Sequence, residues 1–305
     1  MKVITYLSGV PSPKKSPHKV EVLHKFAAGV NRAGDIGIAH EGTKLINCNV
    51  GVIQGWVHEK SPRTPHLQLR RKVAENTLNK HTIIIDSNLF NYNLGALYHK
   101  HYSRYSMDGV FPTTGNYFRD NVDSRRWDQI STDLHLRLKD WRSTGDHILL
   151  ACQRDGGWSM QNLKVTDWIS STVTELRKHT DRPIIVRGHP GDKQAIRYLK
   201  QKRVDWTLST NPKLTQDLTN AWATITYNSS PGVASAIEGI PLFVTDPNPK
   251  ISQAYDVANT DLSQIENAKG FERRSWLNKL SMCHWNFEEI ESGKAWKHMR
   301  QFING

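Results

Sequence analysis

One stretch constrains the fold more than any other: "WATITYNSSPGVASAIEGIPLFVTDP", Trp222 to Pro247. It reads as an apolar strand, a sharp turn with two serines, a slim helix and a second strand. Serine is a favoured N-cap, and proline suits the first helical position because its missing N–H has no helical partner to lose. Gly239 falls where a left-handed C-cap belongs, and Pro241 stops continuation. The same alternation recurs. "KVITYLSG", "DIGIAHE", "LINCNVGVIQGW" and "HTIIIDSN" read as strands in the first half, with helical spacing at Val20, Val22, Leu23, Phe26 and Val30 and again through "HLQLRRKVAENTLNK". A second series starts at "HILLACQRDGGW" and runs through a helix within 162–178, the strand "RPIIVRGHP" and a helix in "DKQAIRYLKQK". Strands alternating with helices predict an α/β chain with mainly parallel sheets.

The segment 89–141 is less regular and dense in Tyr, Arg, Asn and Asp; long polar-aromatic loops of this kind are often functional. The expected organisation is a Rossmann-like domain over 1–142, a second over 143–270, and C-terminal helices over 271–305 that pack back on the first domain. With 305 residues, two ordinary domains are affordable. No apolar run reaches membrane-spanning length, and the N-terminal "MKVITYLSGVPSP" reads as a first strand rather than a signal peptide. Cys48, Cys152 and Cys283 form neither a metal pattern nor a disulfide frame, so a reducing cytoplasm is expected. The formal net charge is +12, and residues 1–142 hold 21 Lys+Arg against 12 Asp+Glu, three quarters of the surplus. A basic first half points to a polyanionic partner there.

Three polar turns follow successive strands of the second half. One carries Ser229 and Ser230. Another, "RGHPGDK", bunches Arg187, His189 and Lys193 around two glycines. The third, "QRDGGWS", offers Gln153, Arg154, Asp155 and Ser159. Open α/β sheets bind ligands at the carboxyl ends of their strands. A helix mouth with hydroxyls, beside a turn with cations, is suited to a phosphate. Each turn alone reads equally well as local capping; the three together predict a nucleotide-phosphate site.

The run "QRDGGWS", then "RGHP", then "YNSSPGVASAIEGIPLFV" resembles, in order and rough spacing, the motifs of bacterial capsular-polysaccharide synthesis proteins, including the Kdo transferases that use CMP-Kdo. "HP" followed by "SS" also resembles bacterial polysialyltransferases. The resemblance covers roughly 148–247 and implies a GT-B fold: two Rossmann-like domains facing across a cleft, with the nucleotide-sugar held by the C-terminal one. It implies that His189 and Pro190 lie against the nucleotide and its phosphate, that Ser229 and Ser230 hold phosphate oxygens, and that Gln153, Arg154 and Ser159 line the donor side. Two departures stand out. Ala234 occupies the place of a glutamate suited to ribose hydroxyls, with Glu238 one turn later as a substitute. The usual acidic pair is reduced to Asp155 followed by two glycines.

The expected activity is therefore glycosyl transfer from a nucleotide-sugar to a hydroxyl of a polyanionic acceptor. Such transfer needs stabilisation of the leaving phosphate, a base for the acceptor hydroxyl, and exclusion of water. Arg187, His189, Lys193, Ser229 and Ser230 are expected at the phosphate; Asp155, Asp86 and Asp108 are the candidate bases. No metal motif is visible, and no cofactor is expected beyond the nucleotide-sugar as co-substrate. The basic, aromatic first half favours a hydroxymethylated pyrimidine in DNA as acceptor, flipped from its stack. A capsular or lipopolysaccharide glycan is the alternative acceptor. A non-catalytic nucleic-acid-binding protein and a sugar-nucleotide epimerase are the rival functions. Oligomeric state, donor sugar and anomeric outcome are left open by the sequence.

Overall fold

A computed structural model describes residues 1–56, 64–75, 78–92, 102–111, 122–155, 158–161, 163–192, 194, 197, 199–200, 205–248 and 252–303. Among these residues the strands are β1 (Lys2–Tyr6), β2 (Ile36–His40), β3 (Cys48–Gln54), β4 (Asn79–Asp86), β5 (Tyr102–Met107), β6 (His147–Ala151), β7 (Ile184–Arg187), β8 (Thr207–Leu208), β9 (Ala221–Thr226), β10 (Leu242–Val244) and β11 (His284–Asn286). The helices are α1 (Pro17–Arg32), α2 (Pro65–Ala74), α3 (Arg125–Asp133), α4 (Val165–Leu176), α5 (Leu214–Leu218), α6 (Pro231–Ile237), α7 (Arg274–Ser281), α8 (Phe287–Glu291) and α9 (Lys294–Arg300). None of the described helices is long and apolar enough to cross a membrane.

The chain divides into two compact units. The first comprises Met1–Asn88, Gly95–Val122 and Lys279–Gly305, the second Leu89–Leu94 and Asp123–Asn278. The first is built on a six-stranded sheet ordered β11-β5-β4-β3-β1-β2, in which β5 runs antiparallel to both its neighbours, β4 and β11. The apolar runs of β1, β3 and β4 are buried, as strands covered on both faces require. Val22, Leu23, Phe26 and Val30 of α1 pack against them. Trp285, Trp296 and Met299, from beyond residue 278, fill the same core; Phe26 stacks on Tyr105 at 6.0 Å and meets Trp296 edge-on at 6.1 Å. A side chain at Gly29 would place Cβ 1.8 Å from the Ile290 carbonyl oxygen, so glycine is what lets the two segments touch.

The second unit holds a five-stranded, wholly parallel sheet ordered β8-β7-β6-β9-β10. In chain order this is 3-2-1-4-5, the Rossmann arrangement, with the direction of winding reversing at β6. All five residues of β6, "HILLA", are buried, as the central strand of such a sheet demands. The division differs from the expected boundary at 142. Residues 123–142 fold with the second unit because Trp127 packs on Phe90, Lys139 N donates to the Ile237 carbonyl at 2.9 Å, and the Arg273 guanidinium stacks over Trp141 at 3.9 Å. Arg273 also donates to the carbonyls of Ala236 and Lys139, at 2.5 and 2.7 Å. Gly239, at φ +73°, admits the Asp140 carbonyl 2.0 Å from where a Cβ would stand. The expected C-terminal segment 271–305 is likewise divided, at Asn278.

Candidate active site

The carboxyl ends of the three central strands of the second unit are level. Ala151 of β6 pairs in register with Arg187 of β7 and with Thr226 of β9. Gln153, His189 and Asn228 each stand two residues beyond that line, so the three turns emerge side by side where the winding reverses. A ligand crevice forms at such a point because the connections leave the sheet on opposite sides.

Two of the turns are tied together. Gln153 Oε1 accepts from the Asn228 backbone N–H at 2.9 Å, and Gln153 Nε2 donates to Ser159 Oγ at 2.7 Å. Asn228 Nδ2 donates to the Ser159 carbonyl at 3.0 Å and to Asp246 Oδ2 at 2.5 Å. Both amide hydrogens of Asn228 thus have acceptors, which fixes the side-chain orientation from the network. Its Oδ1 has no partner, although the residue is buried. Ser229 Oγ is also buried without a partner. Because Ser159 Oγ accepts from Gln153, its hydroxyl keeps its own hydrogen to donate. Burial raises the Asp246 carboxyl pKa; bonds from Asn248 N–H and Asn228 oppose the rise.

The capping role of the serines is not realised. Ser230 occupies the N-cap of α6 with Pro231 next, yet makes no side-chain capping bond, and it is exposed. The first amides of the helix are not open either: Gly232 N–H reaches the Ser229 carbonyl at 3.0 Å and Val233 N–H the Ser230 carbonyl at 2.9 Å. Hydroxyls and the Asn228 carbonyl oxygen, rather than free amides, therefore supply the polarity of this turn.

His189 Nδ1 accepts from Gly191 N–H at 3.0 Å, so the ring presents Nε2–H as its donor. Burial lowers the imidazole pKa, the Arg154 charge lowers it further, and Asp192 opposes both. Arg154 reaches the Gly191 carbonyl at 3.2 Å. A Cβ at Gly191 would lie 2.6 Å from the Arg154 guanidinium and 3.1 Å from His189 Cε1; the bare glycine lets cation and imidazole crowd together. Pro190 is exposed beside them.

Other expected site residues have different work. The Arg187 guanidinium pairs with the fully buried Asp217 and donates to the Asn211 and Pro212 carbonyls, which commits it to the turn before α5. Asp155 Oδ1 accepts from Val165 N–H at 3.1 Å at the start of α4, and Asp155 N–H bonds to the buried Asp192 at 2.5 Å; it pins turns. Glu238 follows the far end of α6, where it pairs with Lys139 and accepts from Tyr92 Oη at 3.0 Å. That is the opposite end of the helix from Ser230, so it cannot stand in for a ribose-binding acid there. Ala234 is fully buried, which leaves no room for one at that position. Lys193 lies outside the described residues. In the first unit, Asp86 ends β4 and pairs with buried Arg104 at 2.9 Å. Asp108, at φ +57°, accepts from Thr82 N–H at 2.8 Å and meets His81 Nδ1 at 2.7 Å. It lies several residues back from the carboxyl edge and serves as a turn. Among the described residues no three His, Cys, Asp or Glu side chains gather as a metal site.

Sequence reading missed Asn228 and Asp246. The signal was the Asn directly before the two serines and the Asp ending "LFVTD", both at strand ends.

No family model matches the sequence, and neither does any curated protein. Solved structures do. The β-Kdo 2,7-transferase of Thermosulfurimonas dismutans KpsC matches with a TM-score of 0.55 and 12% identity, over 93% of this chain and 92% of that one. The β-Kdo 2,4-transferase of the same protein gives 0.54 and 13%, over 93% and 91%. The fold is GT-B. The GT-B likeness spans both units, whereas the motifs that resembled the Kdo transferases covered the second alone. A UDP-GlcNAc 2-epimerase from Methanocaldococcus jannaschii, solved with UDP-GlcNAc and UDP, matches at a TM-score of 0.33 and 11% identity over the whole of both chains.

Proposed function

We propose that the chain is a glycosyltransferase that moves a sugar from a nucleotide-activated donor to a hydroxyl of a glycan. One observation carries the reading. At the winding reversal of a Rossmann-order sheet, three level strand ends present buried polar atoms that lack partners, Asn228 Oδ1 and Ser229 Oγ, beside Arg154 and the Nε2–H of a neutral His189. Leaving a buried polar atom unpaired costs about 1–3 kcal/mol, so a ligand that pairs it gains correspondingly. A nucleotide-sugar fits this donor and acceptor set: its hydroxyls can donate to Asn228 Oδ1, and its phosphate oxygens can accept from Ser229, Ser230, Ser159, His189 and Arg154.

In the transfer, charge developing on the leaving phosphate meets these donors, of which Ser159 is held by Gln153, and His189 and Arg154 by Gly191. The reading includes no metal: side chains supply the positive potential, and activity in EDTA is the expected result. Of the three expected bases, Asp86 lines an open hollow at a sheet's carboxyl edge, whereas Asp155 pins the start of α4 and Asp108 holds a turn. We assign it the acceptor's proton. Three free, buried cysteines accord with a cytoplasmic setting.

The acceptor moves from DNA to glycan. Stacking on bases needs exposed rings. Among the described residues of the first unit, Tyr6, Phe26, Tyr102, Tyr105 and Phe111 are buried, and Lys25, Arg32, Arg104 and Arg300 are engaged with carboxylates. Calorimetric titration with CMP- and UDP-sugars, CMP-Kdo among them, tests the donor. Mass spectrometry of an acidic oligosaccharide and of hydroxymethylated DNA, each incubated with the best donor, tests the acceptor. Failure of every nucleotide-sugar to bind, or transfer to DNA alone, overturns the proposal at the corresponding step.

A further inference from the structure

The first unit carries a hollow, of about 220 Å³, at the carboxyl edge of its own sheet. Its lining includes His18 and Lys19 from the first turn of α1, Gln54 at the end of β3, Asp86 at the end of β4 and Asn88 just beyond it. The strand order β2-β1-β3-β4 reverses its winding between β1 and β3, so the hollow stands where such sheets take ligands.

Three independent features of it are unmet by the protein. Gln54 is 8% exposed, and its Oε1 has no hydrogen-bond partner. The N-terminus of α1, sixteen residues long, has no capping side chain and no acid in its first turn. Lys19 sits in that turn, half-buried, at the end of the helix whose dipole disfavours a cation. Burial and the neighbouring charge of Arg70 both lower its pKa, and Asp86 opposes them. Arg70 itself is buried, donating to the Gly9 and Trp56 carbonyls at 2.8 and 3.0 Å. Asp86 is the one carboxylate of the hollow, and it is already paired with Arg104. The surroundings are therefore net positive, with an acceptor oxygen left over.

We propose that this hollow binds a hydroxylated organic anion, a sugar acid or a sugar phosphate: Lys19 and the start of α1 hold the anionic group, and Gln54 Oε1 accepts from a hydroxyl. Drug-sized ligands occupy sites of about 300–1,000 Å³, so a hollow of about 220 Å³ matches a single sugar unit. Its role as the acceptor's recognition site rests on the transferase reading; the binding itself does not.

The test is titration of the full chain with glucuronate, glucose 1-phosphate, acetate, inorganic phosphate and glucose. The expected result is that glucuronate or glucose 1-phosphate binds, and whichever binds more tightly names the anion. Glucose should bind far less. Lys19→Met should weaken the bound anion about tenfold or more, the loss of one charge-assisted bond, while Lys19→Arg keeps most of the affinity. Gln54→Leu should bring the sugar anion down to the affinity of acetate or phosphate, because the hydroxyl contact is gone. Melting curves establish that each variant is folded, and nucleotide-sugar titration of the same samples reads the second unit separately. Anion binding without any nucleotide-sugar binding leaves the hollow standing and overturns the transferase. Nucleotide-sugar binding without anion binding, or anion binding indifferent to Lys19→Met, overturns the hollow.

Discussion

Ser229 and Ser230 show how far a single residue can be read from sequence. Their position at a helix mouth was legible, and local capping was the ordinary explanation for it. The structure leaves one hydroxyl buried and unpaired and the other uncommitted to the helix. Ser229→Ala should therefore leave the melting temperature unchanged or slightly raised, while nucleotide-sugar affinity falls about tenfold, one hydrogen bond's worth; calorimetry on the variant checks both. Asn228 was not legible, because its importance depends on Asp246 and Ser159 arriving from other strands. Arg187 was misread for the same reason: its partner Asp217 is distant in sequence. His189 carries a pH signature. Its folded-state pKa lies below the ordinary 6.5, so the unfolded chain takes up this proton first as pH falls. The stability contributed by the neutral ring is fully present above about 6.5 and is lost as pH drops through the lower folded value. His189→Gln should accordingly lose less stability than the parent between pH 7.5 and 5.5, in denaturant melts at the two values.

At the scale of elements, the strands with continuous apolar runs and the helices with regular spacing were visible in the sequence. β5 and β11 were not. "YSRYSM" and "HWN" look polar, yet Tyr102, Arg104, Ser106 and His284 are buried, with Arg104 held by Asp86 and His284 Nδ1 by the Leu280 carbonyl at 2.9 Å. Antiparallel pairing across distant segments supplied what local pattern could not. Two glycines separate elements that tolerate a methyl group from those that do not. Gly191→Ala meets only the movable ends of Arg154 and His189, so it should fold normally and bind nucleotide-sugar less well. Gly29→Ala drives Cβ against a backbone carbonyl that cannot swing away, and overpacking of this kind costs about 1–3 kcal/mol. Chemical denaturation of the two variants should show the second destabilised and the first close to the parent.

For the whole molecule, two α/β halves were legible, but the path between them was not. The chain enters the second unit after Asn88, is back in the first from Gly95, enters the second again at Asp123 and returns after Asn278; Phe90 and Trp127 pack together in the second unit while Trp285 and Trp296 belong to the core of the first. Trp296→Ala should cost about 3–5 kcal/mol, the usual toll of emptying a large buried site. Protection by nucleotide-sugar should persist, since the residues proposed to bind it sit in the other unit; a melt followed with and without donor separates the two. The return of the chain also has a consequence for synthesis. A ribosome that has made the first hundred residues has not yet made the strand that pairs with β5 or the tryptophans that close the core around α1. The half translated first must wait, incomplete, while the Rossmann-order half emerges and folds behind it. The core around α1 can therefore be completed only after the whole of the second unit has been translated.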